Sequence, residues 1–253
     1  MFFRLSHTTS HIPHHADHLP QTCFLCYTES LSFTIDSLFN NTSLSDVLLR
    51  VHDAEGNVGE YPAHRNVLAT HSEFIEKACL GGFMEANNKT MDLQDEDPKY
   101  FEIALKWMYT GGDYETPDGM IGVAQLLFHI HVHRVADKFL MPELQEICAQ
   151  AFTKTAITLL GDATRLRTSR NAVLSGEIVQ KAKDYASAML PAIDLFYSNN
   201  VNAQSSLGRA VAVGALQVKW EKTPDLLSMM LIAHPIFTQD WAMAIIMGPF
   251  DIR

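Results

Sequence analysis

The order of hydrophobic and polar residues predicts a small group of strands in the first half of the chain. Val47 to Val51 is a short apolar run rich in strand-favouring residues, and turn-forming residues follow it at 53–57. Residues 59–63 can return as the second strand of a hairpin, and Thr90 to Leu93 has the composition of a third strand. The pattern therefore predicts a small sheet.

Helical spacing dominates the rest of this half. One helix is predicted over residues 67–80, with five candidate core residues: Val67, Leu68, Phe74, Ile75 and Leu80. Another is predicted to begin at Asp97 and Pro98, because aspartate caps a first turn and proline there loses no hydrogen bond. Its predicted buried stripe is Phe101, Ala104, Leu105, Met108 and Tyr109. Glycine pairs at 81–82 and 111–112 end these helices, and two more are predicted over 120–140 and 142–153.

Beyond residue 155 the spacing is helical throughout. Ile178 to Met189 forms an apolar stripe that we expect Pro191 to end. Leu207 to Val218 forms a second stripe, and further helices are predicted to begin at Pro224 and Pro235. The chain is therefore predicted to hold an α+β domain followed by an all-helical C-terminal region.

Charge and composition exclude several classes of function. The formal net charge of −10 argues against a protein that binds nucleic acid through its phosphates. We expect no membrane span, since the sequence has no run of roughly 20 apolar residues. The apolar run after Met1 is too short for a signal peptide. We therefore expect an intracellular protein, located in the cytoplasm, the nucleus or both.

Residues 1–30 are predicted to be a disordered, histidine-rich tail. Residues 1–22 hold five of the twelve histidines: His7, His11, His14, His15 and His18. Weak zinc or nickel binding by these imidazoles is the alternative. Cys23 and Cys26 form a Cys-x-x-Cys pair without a second pair or a βαβ context, which favours structural or incidental cysteines over a zinc or redox site.

Four motifs, in this order along the chain, resemble the BTB/POZ family. They are Ser45-Asp-Val47, Ala63 to Phe74, Leu93 to Phe101 with Tyr109-Thr-Gly111, and Ala136 to Leu144. In that family they correspond to the first conserved strand, the signature strand-to-helix turn, the third-helix region and the junction between the last two helices. The resemblance spans residues 40–155 and implies the BTB/POZ fold, a small β-sheet flanked by a cluster of α-helices.

Residues 156–253 carry a narrower resemblance. Leu195-Phe-Tyr197, Leu207-Gly-Arg209 and Val211 look like the helical extension that follows the BTB domain in many filamentous-fungal proteins. The resemblance therefore implies a fungal-type BTB protein with a helical C-terminal extension.

Asp46, His64 and Arg65 fall on the signature motifs. An aspartate and a histidine can form a proton relay, which would be a catalytic arrangement. The resemblance places all three at the strand-to-helix turn, where it implies a structural role. We expect them to bond to each other or to backbone groups.

Three closely spaced histidines, His129, His131 and His133, suggest a metal site by composition alone. Helical geometry places His129 and His133 on one side and His131 near the opposite side, so the three cannot bind one ion. The sequence also lacks a phosphate-binding glycine loop, a catalytic serine motif and a complete metal motif. We therefore predict no enzyme activity, no cofactor and no metal.

Phe83-Met84-Glu85 is the candidate partner-binding motif. It follows the glycine pair, so we expect it on an exposed loop before the third strand. In BTB adaptors of cullin-based ubiquitin ligases, a hydrophobic-x-Glu triplet in this loop contacts the third cullin. The resemblance thus implies that Phe83 fills an apolar pocket of a cullin and Glu85 pairs at its rim.

The function implied is a non-enzymatic protein-interaction module that associates with protein partners or with itself. Its most specific form is a substrate adaptor for a cullin-based ubiquitin ligase. The alternative is a scaffold or transcription-associated dimerisation protein that binds no cullin. No zinc-finger spacing is present to place the chain on DNA.

Overall fold

The computed structural model of the chain describes six segments of it, residues 34–80, 88–112, 114–164, 174–198, 205–217 and 224–247. Thr34–Arg253 form one compact unit. The predicted tail, residues 1–30, lies outside the described residues together with its Cys-x-x-Cys pair.

A three-stranded sheet confirms the predicted hairpin and third strand. Strand β1 is Val47–His52, β2 is Val58–Ala63 and β3 is Thr90–Gln94. The strand order is β2-β1-β3, with β1 antiparallel to β2 and parallel to β3. Alternate residues of β1 are buried, since successive side chains in a strand point to opposite faces.

The turn between β1 and β2 is closed by Asp53. Its Oδ1 accepts hydrogen bonds from the backbone N–H of Glu55 at 3.0 Å and of Asn57 at 2.7 Å. The side-chain hydrogen bond donated by Asn57 lowers the pKa of the Asp53 carboxyl. Gly56 supplies a φ of +88°, in the left-handed region that glycine adopts without a steric penalty.

Five helices complete the part of the fold that carries the four motifs. They are α1 (Arg65–His71), α2 (Glu73–Leu80), α3 (Pro98–Thr110), α4 (Val123–Lys138) and α5 (Pro142–Thr164), and a short 3-10 turn, Ile35–Leu38, precedes the sheet. Helix α3 begins at Pro98, as predicted. Asp97 caps it, since its Oδ1 accepts a hydrogen bond from the N–H of Lys99 at 2.9 Å. All five residues of its predicted stripe are buried.

The prediction of one helix over residues 67–80 is wrong, since the segment is broken at Ser72. The Ser72 hydroxyl donates to the carbonyl of Phe139 at 2.6 Å and accepts from the N–H of Ile75 at 3.2 Å. These bonds hold Ser72 in an extended conformation that ends α1 and begins α2. Two of the five candidate core residues, Phe74 and Leu80, are exposed.

Helix α4 is followed, two residues after its end, by a left-handed residue, Leu140, with a φ of +51°. The N–H of Met141 donates to the carbonyl of Ala136 at 2.8 Å, the backbone pattern that commonly closes a helix. Pro142 then begins α5, as predicted, but α5 continues to Thr164 instead of ending near residue 153.

The C-terminal region is helical in every segment that the structure describes. Its helices are α6 (Leu174–Tyr197), α7 (Ser206–Leu216), α8 (Pro224–Ala233) and α9 (Pro235–Met247). Helix α6 runs through Pro191, so the prediction that this proline ends it is wrong. Pro191 and Ser187, the residue whose carbonyl loses its helical partner, are both exposed, so water can bond to that carbonyl.

Two hydrophobic cores meet at α4 and α5. The first core packs the sheet against α1 to α5. The second packs α6 to α9 against the other side of the same two helices, through residues including Leu126, Ile130 and Phe152, all fully buried. The C-terminal helices therefore cover apolar surface of the preceding domain.

No single described helix is long and apolar enough to cross a membrane. Helices α8 and α9 have the length and apolar composition of a membrane span only when taken together, and the chain bends by 117° between them.

Candidate functional site

His64 lies at the junction of β2 and α1 and is buried. Its Nδ1 is 3.0 Å from the Tyr109 hydroxyl, and its Nε2 is 2.8 Å from the carbonyl oxygen of Ser43. The backbone N–H of His64 also donates to the Tyr109 hydroxyl, at 3.0 Å. Both ring nitrogens thus contact groups of the fold itself. Through them, His64 links Ser43, which precedes β1, to Tyr109 on α3.

Asp46 bonds to the backbone beyond this histidine and not to its ring. Asp46 Oδ1 accepts a hydrogen bond from the N–H of Arg65 at 2.9 Å, and the N–H of Asp46 donates to the carbonyl of Ala63 at 3.1 Å. The arrangement closes the end of the hairpin and fixes the start of α1. It does not form the aspartate–histidine hydrogen bond that a proton relay requires.

Arg65 contacts both flanks of the segment that carries the candidate partner motif. Its guanidinium group donates to Cys79 Sγ at 3.6 Å and to the carbonyl of Asn88. Cys79 is in the last turn of α2, and Asn88 is the first described residue after that helix. The predicted motif, Phe83-Met84-Glu85, falls between these contacts and lies outside the described residues.

Tyr109→Phe tests the bonds around His64. We expect it to lower the free energy of unfolding by about 1 to 3 kcal/mol, because the buried N–H of His64 loses its acceptor. Tyr100→Phe is the matched control, since no described group bonds to the Tyr100 hydroxyl, and it should cost less than about 0.5 kcal/mol. Urea unfolding measures both. Equal losses in the two variants would show that the hydroxyl of Tyr109 has no special role.

The three clustered histidines contact different groups, and His131 and His133, predicted on opposite sides, line one groove. His129 Nδ1 is 2.6 Å from the Tyr114 hydroxyl and its Nε2 is 3.1 Å from Thr155 Oγ1. The His131 ring stacks on Tyr100 at 4.4 Å between ring centroids. His133 packs edge-on against the ring of Phe196 at 6.1 Å. Each histidine therefore has a different set of neighbours.

Burial controls the titration of these histidines. It lowers the pKa of His129 to about 4 and that of His133 to about 4, although the nearby Asp137 carboxylate acts in the opposite direction on His133. Both imidazoles are therefore neutral at pH 7. Burial also raises the pKa of the Cys148 thiol to about 12, which keeps it protonated and unreactive.

Within the described segments, no three histidine, cysteine, aspartate or glutamate side chains are placed to hold a metal ion. These sites also depend on residues that no sequence motif indicated: Ser43, Tyr114 and Thr155. Each acts through a hydroxyl or backbone bond to a residue at least 15 positions away. Ser72 and Tyr109 did give a signal, Ser72 in the signature motif and Tyr109 in a family motif and in the predicted stripe of α3.

Comparison with known proteins agrees with this architecture. Residues 35–156 match the family model described as BTB/POZ domain. No curated protein matches the chain. The match covers the sheet and the helices up to the middle of α5, and its limits contain all four motifs. Residues 35–156 therefore form a BTB/POZ domain, a protein-interaction module, and a C-terminal region whose described segments are helical follows it.

Proposed function

We propose that this protein is a non-enzymatic substrate adaptor for a cullin-based ubiquitin ligase. The BTB/POZ domain supports the general role, since domains of this family bind other proteins and associate with themselves. The hydrophobic-x-Glu triplet Phe83-Met84-Glu85 supports the specific role. The adaptor contacts the cullin through this triplet, with Phe83 as the apolar anchor and Glu85 as the charged partner at the rim.

The contacts of Arg65 support this assignment. Arg65 bonds to Cys79 and to the carbonyl of Asn88, on either side of residues 81–87. A segment whose two flanks are held together loses less conformational entropy when it binds a partner. Arg65 of the signature motif is therefore a positioning residue for the two ends of this segment.

The proposal is tested by calorimetry with the purified N-terminal region of a third-type cullin. We expect the full chain to bind with a dissociation constant on the order of micromolar or tighter. Phe83→Ala combined with Glu85→Ala should weaken binding at least about thirtyfold, which corresponds to roughly 2 kcal/mol for an interface anchor.

The matched control for this experiment is Ile121→Ala combined with Glu115→Ala. Ile121 is 79% exposed and Glu115 is also exposed, so the pair removes the same two kinds of side chain elsewhere on the domain. It should leave cullin binding unchanged. Failure of the wild-type chain to bind at tens of micromolar, or equal weakening in both variants, would contradict the adaptor role and favour the scaffold or dimerisation protein.

Several further assignments belong to this proposal. We infer that the chain divides near residue 155 into the BTB domain and a fungal-type helical extension, and that the protein acts in the cytoplasm or nucleus. The extension packs on α4 and α5, so it supplies surface that the BTB domain alone lacks. Homodimer formation is tested by light scattering of the same sample.

A further inference from the structure

We propose that an acidic groove between the BTB/POZ domain and the C-terminal helices binds a short arginine-containing segment of a protein partner. The groove has a volume of about 620 Å³ and lies where the β1–β2 turn, the start of α3 and the second half of α4 meet α6. It is built from residues other than Phe83, Met84 and Glu85, so it goes beyond the proposed cullin contact.

The charge of the groove favours a cationic ligand. Six carboxylates line it: Asp53, Glu55, Asp95, Glu96, Asp97 and Asp137. Among the described lining residues there are two Lys or Arg side chains, and one of them, Lys138, is paired with Glu96 at 2.9 Å. Arg134 is the other cation, and it lies on the exposed surface of α4. The groove therefore has an excess of negative charge.

Three of the carboxylates are available to a partner. Glu55, Asp95 and Asp137 are exposed, and none forms an ion pair with another side chain in the part of the chain that the structure describes. Lys138 donates to the carbonyls of Gln94 and Asp95 as well as to Glu96, so its donors are already used. An arginine or lysine of a partner would supply the missing charge.

His133 adds a second and independent sign of a missing ligand. It lines the groove and is only 3% exposed, yet its Nε2 has no hydrogen-bond partner among the described residues. A buried polar atom without a partner costs roughly 1 to 3 kcal/mol. A ligand group that bonds to this nitrogen would remove that cost.

The wall of the groove favours arginine over lysine. Tyr100 and His131 line it, and their rings stack with an interplanar angle of 10°. Lys99 Nζ also lies 5.1 Å from the centroid of the Tyr100 ring, so a cation already sits at this wall. A planar guanidinium group bonds to two carboxylate oxygens at once, whereas an ammonium group does not. A bare metal ion fits less well, since the described acids do not come together in a metal-binding group.

The test is fluorescence anisotropy of the full chain with a labelled arginine–serine repeat peptide at low salt. We expect binding with a dissociation constant on the order of tens of micromolar. A lysine–serine peptide should bind more weakly and a glutamate–serine peptide should not bind. Glu55→Gln combined with Asp137→Asn should weaken binding about tenfold, because two carboxylates of the groove lose their charge.

The matched control is Glu115→Gln combined with Asp118→Asn, which changes the net charge equally on a different surface. It should leave the affinity within about twofold of wild type. His133→Phe, verified as folded by circular dichroism, should weaken binding without any change in carboxylate charge. Phe83→Ala with Glu85→Ala should bind the peptide normally, which separates this proposal from the cullin contact.

Equal weakening by the groove and control variants would overturn the proposal, because it would show attraction to net charge alone. The chain itself carries Arg165, Arg167 and Arg170 in one short segment. Self-association that is lost on changing these three residues to glutamine, and that competes with the peptide, would identify a second copy of the chain as the occupant and would also overturn the assignment to a different partner.

Discussion

Gly208→Ala is expected to destabilise the protein by about 2 to 4 kcal/mol, although alanine is the better helix former. A Cβ atom at this position would lie 2.7 Å from Asp240 Oδ2 and 2.9 Å from Ser205 Oγ. Asp240 is only 1% exposed, so its carboxylate has little room to move. The substitution therefore crowds a packed and polar part of the second core.

The groups around Gly208 join three helices. Tyr197 on α6 donates a hydrogen bond to Asp240 Oδ2 on α9, at 2.8 Å, and its hydroxyl is 3.0 Å from the carbonyl of Gly208 on α7. Ser205 caps α7 by accepting a hydrogen bond from the N–H of Gly208 at 3.0 Å. Displacing Asp240 would break a buried hydrogen bond and leave a carboxylate poorly solvated, which adds to the cost of crowding.

Gly214→Ala is the matched control, since it makes the same change in the same helix. A Cβ atom there would lie 3.1 Å from Cε of Met189, the far end of a flexible side chain that can move aside. We expect its stability to stay within about 1 kcal/mol of wild type, because gained helix propensity offsets the close contact. Urea unfolding of both variants measures the difference, and equal destabilisation would contradict this account.

Acid is expected to destabilise the protein strongly between pH 6.5 and pH 4. Burial lowers the pKa of His129 and of His133 to about 4, whereas an unfolded histidine titrates near 6.5. As the pH falls through this window the unfolded chain binds protons that the folded chain does not, so the free energy of unfolding falls. The slope is about 1.4 kcal/mol per pH unit for each histidine, and the total is about 3 kcal/mol for each.

The pH window separates this effect from that of paired carboxylates, which has the same sign. Above pH 6.5 both histidines are neutral in both states and contribute no pH dependence, and below about pH 4 both states are protonated. Carboxylates contribute mainly at the lower end of the window. A comparison of slopes between pH 6.5 and pH 5 therefore isolates the histidines.

The measurement is urea unfolding at several pH values for wild type and for His129→Gln combined with His133→Gln. The double variant loses bonds to Tyr114 and Thr155 and should be less stable at pH 7, so the slopes and not the absolute values are compared. We expect a much flatter slope for the variant. A slope equal to that of wild type would show that these histidines do not resist protonation.

The sequence was sufficient to predict elements that depend on local chemistry. The hairpin depends on the turn residues around Asp53, and α3 depends on the cap at Asp97, so both follow from neighbouring residues. The break at Ser72 was missed because its partner, Phe139, is 67 positions away. Helix α6 continues through Pro191 because packing on both sides of the proline outweighs its local preference to end a helix.

The candidate sites likewise differ in how much of each can be predicted from the sequence. The motif containing His64 and Arg65 was visible in the sequence, but its partner Tyr109 is 45 positions away and could be assigned only from the fold. The acidic groove could not be predicted at all. It combines the turn at Asp53, helix α4 and Phe196, which come together only when the C-terminal helices pack on the BTB/POZ domain.

The cullin-adaptor function is tested most directly by one calorimetric titration series with the third-type cullin region. The full chain should bind, Phe83→Ala with Glu85→Ala should bind at least about thirtyfold more weakly, and Ile121→Ala with Glu115→Ala should match the wild type. Absence of cullin binding by a folded wild-type chain would contradict the adaptor function and leave an interaction module whose partner is not a cullin.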